Sequence, residues 1–380
     1  MNLENPIIIG YEAKRIYHNK TGLGNYCRDL IRILSTNYSK NSYFLYNPKK
    51  SDKNLFGYSN NNCIEKRPKN KLFEYFYNLW RQYFVVNDLI NDNINIYHGL
   101  SGELPFGLQS TSIKSVVTIH DLIFLHHPHF YKWIDRKIYT YKFKKAAQNA
   151  DKIIAISEQT KSDIMQFFKI KENKIEVIYQ GCHNIFKEKS TDSEKNALLK
   201  KLDLPETFIL NVGTIEARKN IFQVVKAIKD TSIPLVILGK KTKYCLEIEK
   251  YISDNQMNDQ VFFINGLSHQ ELATLYQLAT LFVYPSLFEG FGIPIIEAMY
   301  SKVPVITSKD GVFPEAGGPF SAYIDPNNCD EIKDKILELW NSSEKRAYMV
   351  EKSFEFVQKF NDPIIAKQVM DLYQALVSND

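Results

Sequence analysis

Residues 281–299 read LFVYPSLFEGFGIPIIEAM. The first four are continuously apolar, as in a parallel strand buried on both faces, and Pro285 ends the run. A loop then carries Glu289, Gly290, Phe291 and Gly292. Pro294 opens a helix, where its missing N–H is no loss. Strand, glycine loop and helix together are half of a βαβ unit, and open α/β sheets bind ligands at the carboxyl ends of their strands. Glu289 is therefore expected in the loop and Glu297 in the first helical turn or just past it. Gly290 and Gly292 admit close backbone approach, and the free N–H groups at the helix start suit a phosphate. Two carboxylates would repel that anion if both met it. They suit sugar and ribose hydroxyls to either side of it. The plainer alternative is a satisfied helix cap and a solvated Glu.

The same rhythm runs outward in both directions. Strands are predicted at Ile7–Ile9, Tyr43–Tyr46, Ile94–Tyr97, Ser115–Ile119, Lys152–Ile156 and Ile175–Ile178. They resume at Phe208–Val212, Pro234–Leu238, Val261–Ile264, Leu281–Tyr284 and Val303–Thr307. Apolar strands alternating with helices predict two parallel α/β sheets in tandem. The expected bounds are 1–187 for an acceptor-side domain, 188–200 for a charged linker running into a short helix, and 201–360 for a donor-binding domain. A C-terminal helix over 361–380 is open to packing on either domain, the N-terminal one included.

Residues 208–220 read FILNVGTIEARKN. A strand ends at Gly213, Asn220 is the expected N-cap of the next helix, and Arg218 and Lys219 fall at a strand's carboxyl end. Fixed cations there can stabilise a departing diphosphate; the alternative is a salt bridge from one of them to Glu216. In the first half, Thr21-Gly22-Leu23-Gly24 precedes a helical pattern. Gly22 and Gly24 are candidate phosphate-cradling residues, although the stretch is no dinucleotide fingerprint because Cys27 replaces a third glycine. Ser115–Leu125, SVVTIHDLIFL, delivers His120 and Asp121 from a buried strand, and His98 ends another.

The P-S-x-x-E-G-F-G-x-P-x-x-E-A-M string, the V-V-T-I-H-D-L segment and the residues around Lys219 resemble the retaining glycosyltransferases of family four, in their mannosyltransferase-like branch. The resemblance runs from about Gly10 to Pro326 and is weak over 40–93. It implies α/β; GT-B, two Rossmann-like doubly wound domains facing across a cleft. By that resemblance His120 and Glu289 contact the transferred sugar, with Asp121 orienting the imidazole. Lys219, Arg218 and the amides of Gly290, Phe291 and Gly292 meet the diphosphate, Glu297 the ribose, and Gly22 and Gly24 cover the phosphates; His98 borders the acceptor pocket. Two departures stand out. Gly213-Thr214 replaces a common Gly-Arg, and Gln180-Gly181-Cys182-His183 replaces the usual Asn-Gly-Val-Asp.

Composition bounds the rest. Up to Lys187 there are 27 Lys and Arg against 16 Asp and Glu, a net +11, while the remainder carries −6. A basic first half suits an anionic surface or a phosphorylated acceptor; general enrichment in Lys and Asn is the plainer cause. Five dispersed cysteines without a C-x-x-C pair imply neither disulfides nor zinc, and no D-x-D triplet suggests a metal. The aromatic run 72–86 reads as the core face of a helix, or as rings that stack on sugar faces or meet a lipid acceptor. The basic, aromatic stretch 131–145 reads as a solvated helix or one resting on anionic lipid.

The expected function is transfer of a hexose, mannose favoured, from a nucleotide-diphosphate sugar to a hydroxyl of a glycan or lipid-linked glycan. GDP-mannose is favoured over a UDP-hexose, with no cofactor, no metal and no nucleic-acid partner. The expected location is the cytoplasm, at the inner face of the membrane if the basic half docks there. A nucleotide-sugar epimerase and a non-catalytic nucleotide-sugar-binding protein are the alternatives.

Overall fold

The computed structural model describes residues 6–51, 55–57 and 60–378; the outermost ends of the expected domain bounds lie outside these. The chain divides into two compact units, one reaching Gln180 and resuming at Asp362, the other running from Gly181 to Asn361.

In the first unit seven strands form one parallel sheet: β1 (Ile8–Glu12), β2 (Ser42–Tyr46), β3 (Cys63–Lys66), β4 (Ile96–Gly99), β5 (Lys114–Ile119), β6 (Lys152–Ala155) and β7 (Ile175–Val177). Their order is β3-β2-β1-β4-β5-β6-β7, so the winding reverses between β1 and β4. The strands were predictable where both faces are apolar. The edge strand β3 escaped prediction because Cys63, Ile64, Glu65 and Lys66 are all partly or fully exposed. The helix Asp362–Val377 returns to this unit. Its Ile365, Val369, Met370 and Tyr373 join the core of Ile9, Tyr11, Leu30 and Tyr43, and Asp362 pairs with Arg32 at 2.7 Å.

The second unit holds β8 (Ile209–Val212), β9 (Leu235–Leu238), β10 (Val261–Ile264), β11 (Leu281–Tyr284), β12 (Val305–Ser308) and β13 (Ala322–Ile324). The order β10-β9-β8-β11-β12-β13 reverses between β8 and β11. All pairs are parallel, with Leu281 opposite Ile209. Residues expected to form a linker contain the helix Asp192–Leu202, started by a reciprocal Thr191–Glu194 capping box. Its neighbour Ser190 is tied to Thr274 and Gln277 of the helix His269–Leu278, so this stretch is built into the second unit.

The aromatic run overturns its expected placement. Trp80, Val85 and Val86 are buried, but Tyr75 is 80% and Phe76 51% exposed. No described helix is long and apolar enough to cross a membrane.

Candidate active site

The reversal between β8 and β11 puts the two most informative loops of the second unit side by side. After β8, Gly213 adopts φ +149° and a short turn, Ala217–Lys219, presents both cations. Asn220 occupies the helix N-cap with φ 55°, but its side chain makes no cap bond. Its Nδ2 donates instead to the Pro326 carbonyl at 2.6 Å. After β11, Ser286 and Glu289 lead to Gly292, whose φ of +111° favours glycine. The helix Ile293–Tyr300 begins there, with proline in its first turn.

Glu289 Oε1 gathers four donors: Lys219 Nζ at 2.6 Å, Arg218 Nη1 at 2.8 Å, Ser286 Oγ at 2.7 Å and Tyr284 OH at 3.0 Å. Burial alone would raise its pKa, but the adjacent Lys219 and Arg218 outweigh that and hold it at about 2. The carboxylate is therefore ionised. Arg218 also pairs with Glu216 at 2.7 Å and donates to the Phe288 carbonyl at 2.6 Å. Lys219 and Arg218, expected to face a diphosphate, are thus clamped by the carboxylate expected to face the sugar. An arriving diphosphate would compete with Glu289 for both cations.

Glu297, on the helix Ile293–Tyr300, has the opposite environment. Its Oε2 accepts from Tyr276 OH at 2.9 Å, and burial pushes its pKa up to about 7, against that hydrogen bond. The Phe291 ring is buried, edge-on to Phe360 with centroids 5.4 Å apart. A groove of about 550 Å³ opens at the ends of β8, β9 and β10, lined by Gly213, Gly239, Lys240, Lys241, Asn265 and Gly266 among others. A Cβ on Gly239 would lie 1.8 Å from the Gly213 carbonyl oxygen, so glycine is required there. Sequence reading passed over these lining residues apart from Gly213, although they follow predicted strands. It also gave no role to Ser286 and Tyr284, whose partner Glu289 is close in sequence, or to Tyr276, whose partner Glu297 lies 21 residues on.

In the first unit His120 follows β5 and is buried. Its Nε2 is 2.9 Å from the Leu100 carbonyl oxygen and its Nδ1 3.0 Å from Gln180 Nε2. Burial draws its pKa down to about 4, with Arg15 adding to the effect and the Leu100 bond opposing it. The ring is oriented by Leu100 and Gln180, while Asp121 Oδ1 accepts from the Ile123 N–H at 3.1 Å. His98 is a correction. It lies fully buried in the core, with both ring nitrogens engaged by Tyr373 OH at 2.6 Å and Thr118 Oγ1 at 2.7 Å. Gly22 and Gly24 form the first turn of the helix Gly22–Asn37 rather than a loop before it. A Cβ on Gly24 would lie 2.0 Å from the Asn19 carbonyl oxygen, whereas Gly22 faces open space.

The sequence profile described as Glycosyltransferase Family 4 matches residues 21–183, and that of Glycosyl transferases group 1 matches 192–356. Together they span most of both units. The chain belongs to the family four glycosyltransferases. This glycosyltransferase is 29% identical over 268 residues to the O-antigen chain mannosyltransferase RfbU of Salmonella typhimurium, covering 70% of this chain and 69% of that one. It is 27% identical to the O-antigen chain mannosyltransferase B of Escherichia coli, covering 74% of each. Among solved structures, a glycosyltransferase from Rickettsia africae superposes with a TM-score of 0.77 at 16% identity over the whole of both chains. Anabaena HepE in complex with UDP superposes with 0.76 at 15% identity, over 98% of this chain and all of that one. The fold is GT-B.

Proposed function

We propose that this glycosyltransferase moves a hexose, mannose in preference, from a nucleotide-diphosphate sugar to a hydroxyl of a glycan or lipid-linked glycan, retaining the anomeric configuration. The observation that carries the reading is the cluster at the β8/β11 reversal: two cations held by one ionised carboxylate, beside a glycine-started helix. The diphosphate takes Lys219 and Arg218 from Glu289 and meets the amides around Gly290–Gly292, with Gly22 and Gly24 over the phosphates. Glu289, released, accepts from hydroxyls of the transferred sugar. Glu297 accepts from the ribose, and His120 contacts the sugar.

The bond from the anomeric carbon to the diphosphate oxygen then breaks. The acceptor hydroxyl oxygen bonds to the same face, and its proton passes to the departing diphosphate. Lys219 and Arg218 balance the charge that grows on the leaving group, so neither metal nor cofactor is needed. The mannosyltransferase names of the relatives support mannose as the hexose, and we propose GDP-mannose over a UDP-hexose as the donor. A lipid-linked acceptor would place the enzyme in the cytoplasm, at the inner face of a membrane.

The test is thermal melting with GDP and with UDP in EDTA, followed by NMR of the linkage formed from GDP-mannose. One nucleoside diphosphate should raise the melting temperature, and the product should keep the donor's configuration. An inverted linkage or an absolute need for a divalent ion would overturn the mechanism. Isomerised donor without acceptor would favour an epimerase.

A further inference from the structure

We infer that Gln180 is the positioning residue of His120, fixing its imidazole as the Nε2–H tautomer and closing its Nδ1 until a ligand claims it. The inference rests on the reading that His120 contacts the transferred sugar. The Leu100 carbonyl, 2.9 Å from Nε2, can only accept a hydrogen bond, so Nε2 carries a proton. The neutral ring has a single N–H, which leaves Nδ1 as an acceptor, and the Gln180 side-chain amide donates to it at 3.0 Å. Both ring nitrogens are therefore engaged within the first unit.

The two partners differ in what they can do. Leu100 directly follows β4 and belongs to the packed core. Gln180 lies three residues past β7 and is the last residue of the first unit before the chain enters the second at Gly181. Leu100 holds Nε2 through a main-chain carbonyl, whereas Gln180 holds Nδ1 through a side-chain amide that can turn away without moving the backbone. Nδ1 is thus the nitrogen that a sugar hydroxyl can claim, by displacing one neutral amide.

The charged and titratable groups facing the ring are few. Tyr26, from the helix Gly22–Asn37, stands edge-on with centroids 4.6 Å apart. Arg15, on the helix Lys14–His18, acts against the imidazolium. His98, on β4, is itself drawn down to about 3 by burial and by the charge of His120.

The experiment is histidine-selective NMR of the full-length protein, read beside the pH dependence of GDP-mannose turnover, for wild type, Gln180→Glu, Gln180→Leu and Gln180→Asn. In wild type, Nδ1 should be the unprotonated nitrogen at neutral pH. Gln180→Glu sets a carboxylate against Nδ1 and should raise the ring's pKa by roughly one unit or more. The acid limb of kcat should move by the same amount. Gln180→Leu should lower kcat/KM for donor roughly tenfold, because the ring then meets the donor without its tautomer and orientation fixed beforehand. Gln180→Asn should recover part of the loss. A proton on Nδ1 in wild type, or a Gln180→Glu ring that titrates as wild type does, would overturn the inference. A ring that titrates differently while kcat does not follow leaves the positioning intact and removes His120 from the transfer step.

Discussion

Glu289 and Glu297 are the same side chain eight positions apart, and their surroundings drive them in opposite directions. Glu289 is depressed from 4.5 to about 2 by Lys219 and Arg218, once burial is overcome. Its stabilisation is therefore complete above the ordinary carboxylate range and disappears as pH falls toward 2. Glu297 is raised from 4.5 to about 7 by burial. The stability it lends is complete below 4.5 and is lost as pH rises through 7. Two neutral variants should therefore show opposite pH trends. Glu289→Gln should destabilise by about 3 kcal/mol at neutral pH, since it takes the carboxylate partner from buried Lys219 and leaves Arg218 paired with Glu216 alone, and the deficit should shrink on acidification. Glu297→Gln keeps the partner of Tyr276 and removes a buried charge. It should melt above wild type at about pH 8, the gap closing toward the ordinary carboxylate range. Calorimetry across pH checks both; parallel curves for the two variants would contradict the opposed environments. Paired carboxylates set at different protonation states suit two different tasks.

At the scale of elements, two segments of the first unit leave large apolar side chains exposed. In the helix Trp133–Asn149 only Ala146 and Ala147 are buried, while Trp133 is 64% and Ile134 63% exposed. The run 72–84 exposes Tyr75 and Phe76, and the two segments meet along a groove that includes Tyr83, Phe106, Lys137, Tyr141 and Lys145. Glu103 links them, pairing with Arg81 at 2.7 Å and Lys142 at 3.4 Å. Aromatic rings interleaved with lysines are the composition that rests on anionic lipid. Co-sedimentation should show binding to phosphatidylglycerol vesicles but not to phosphatidylcholine vesicles. It should weaken with salt, and Trp133→Ala combined with Lys137→Glu should abolish it. Equal binding to both vesicle types would exclude an electrostatic dock. The sequence placed aromatics 72–86 in a core because periodicity marks a face without saying whether anything covers it. The segment 188–200, expected as a charged linker running into a short helix, holds the helix Asp192–Leu202, capped by Thr191 and Glu194 and anchored by Leu198.

For the whole molecule, the sequence was most readable where burial on both faces, glycine geometry and proline position agree, as in 281–299. That agreement located both units' central strands and brought Lys219, Arg218 and Glu289 to the same switch point. It was least readable where a contact joins distant residues. Nothing local to Tyr276 points at Glu297, nothing in 180–183 points at His120, and His98 at a strand end gave no sign of Tyr373 275 residues later. Strand ends are fixed by local pattern, whereas hydrogen-bond partners are fixed by packing. The central claim concerns the second unit alone: its β8/β11 reversal anchors a diphosphate through Lys219. The most direct measurement is calorimetric titration of GDP-mannose in EDTA into wild type and Lys219→Ala. The account expects saturable binding by wild type and an affinity lower by roughly tenfold to a hundredfold in the variant, the worth of a charge-assisted contact. Wild-type affinity in Lys219→Ala would contradict it.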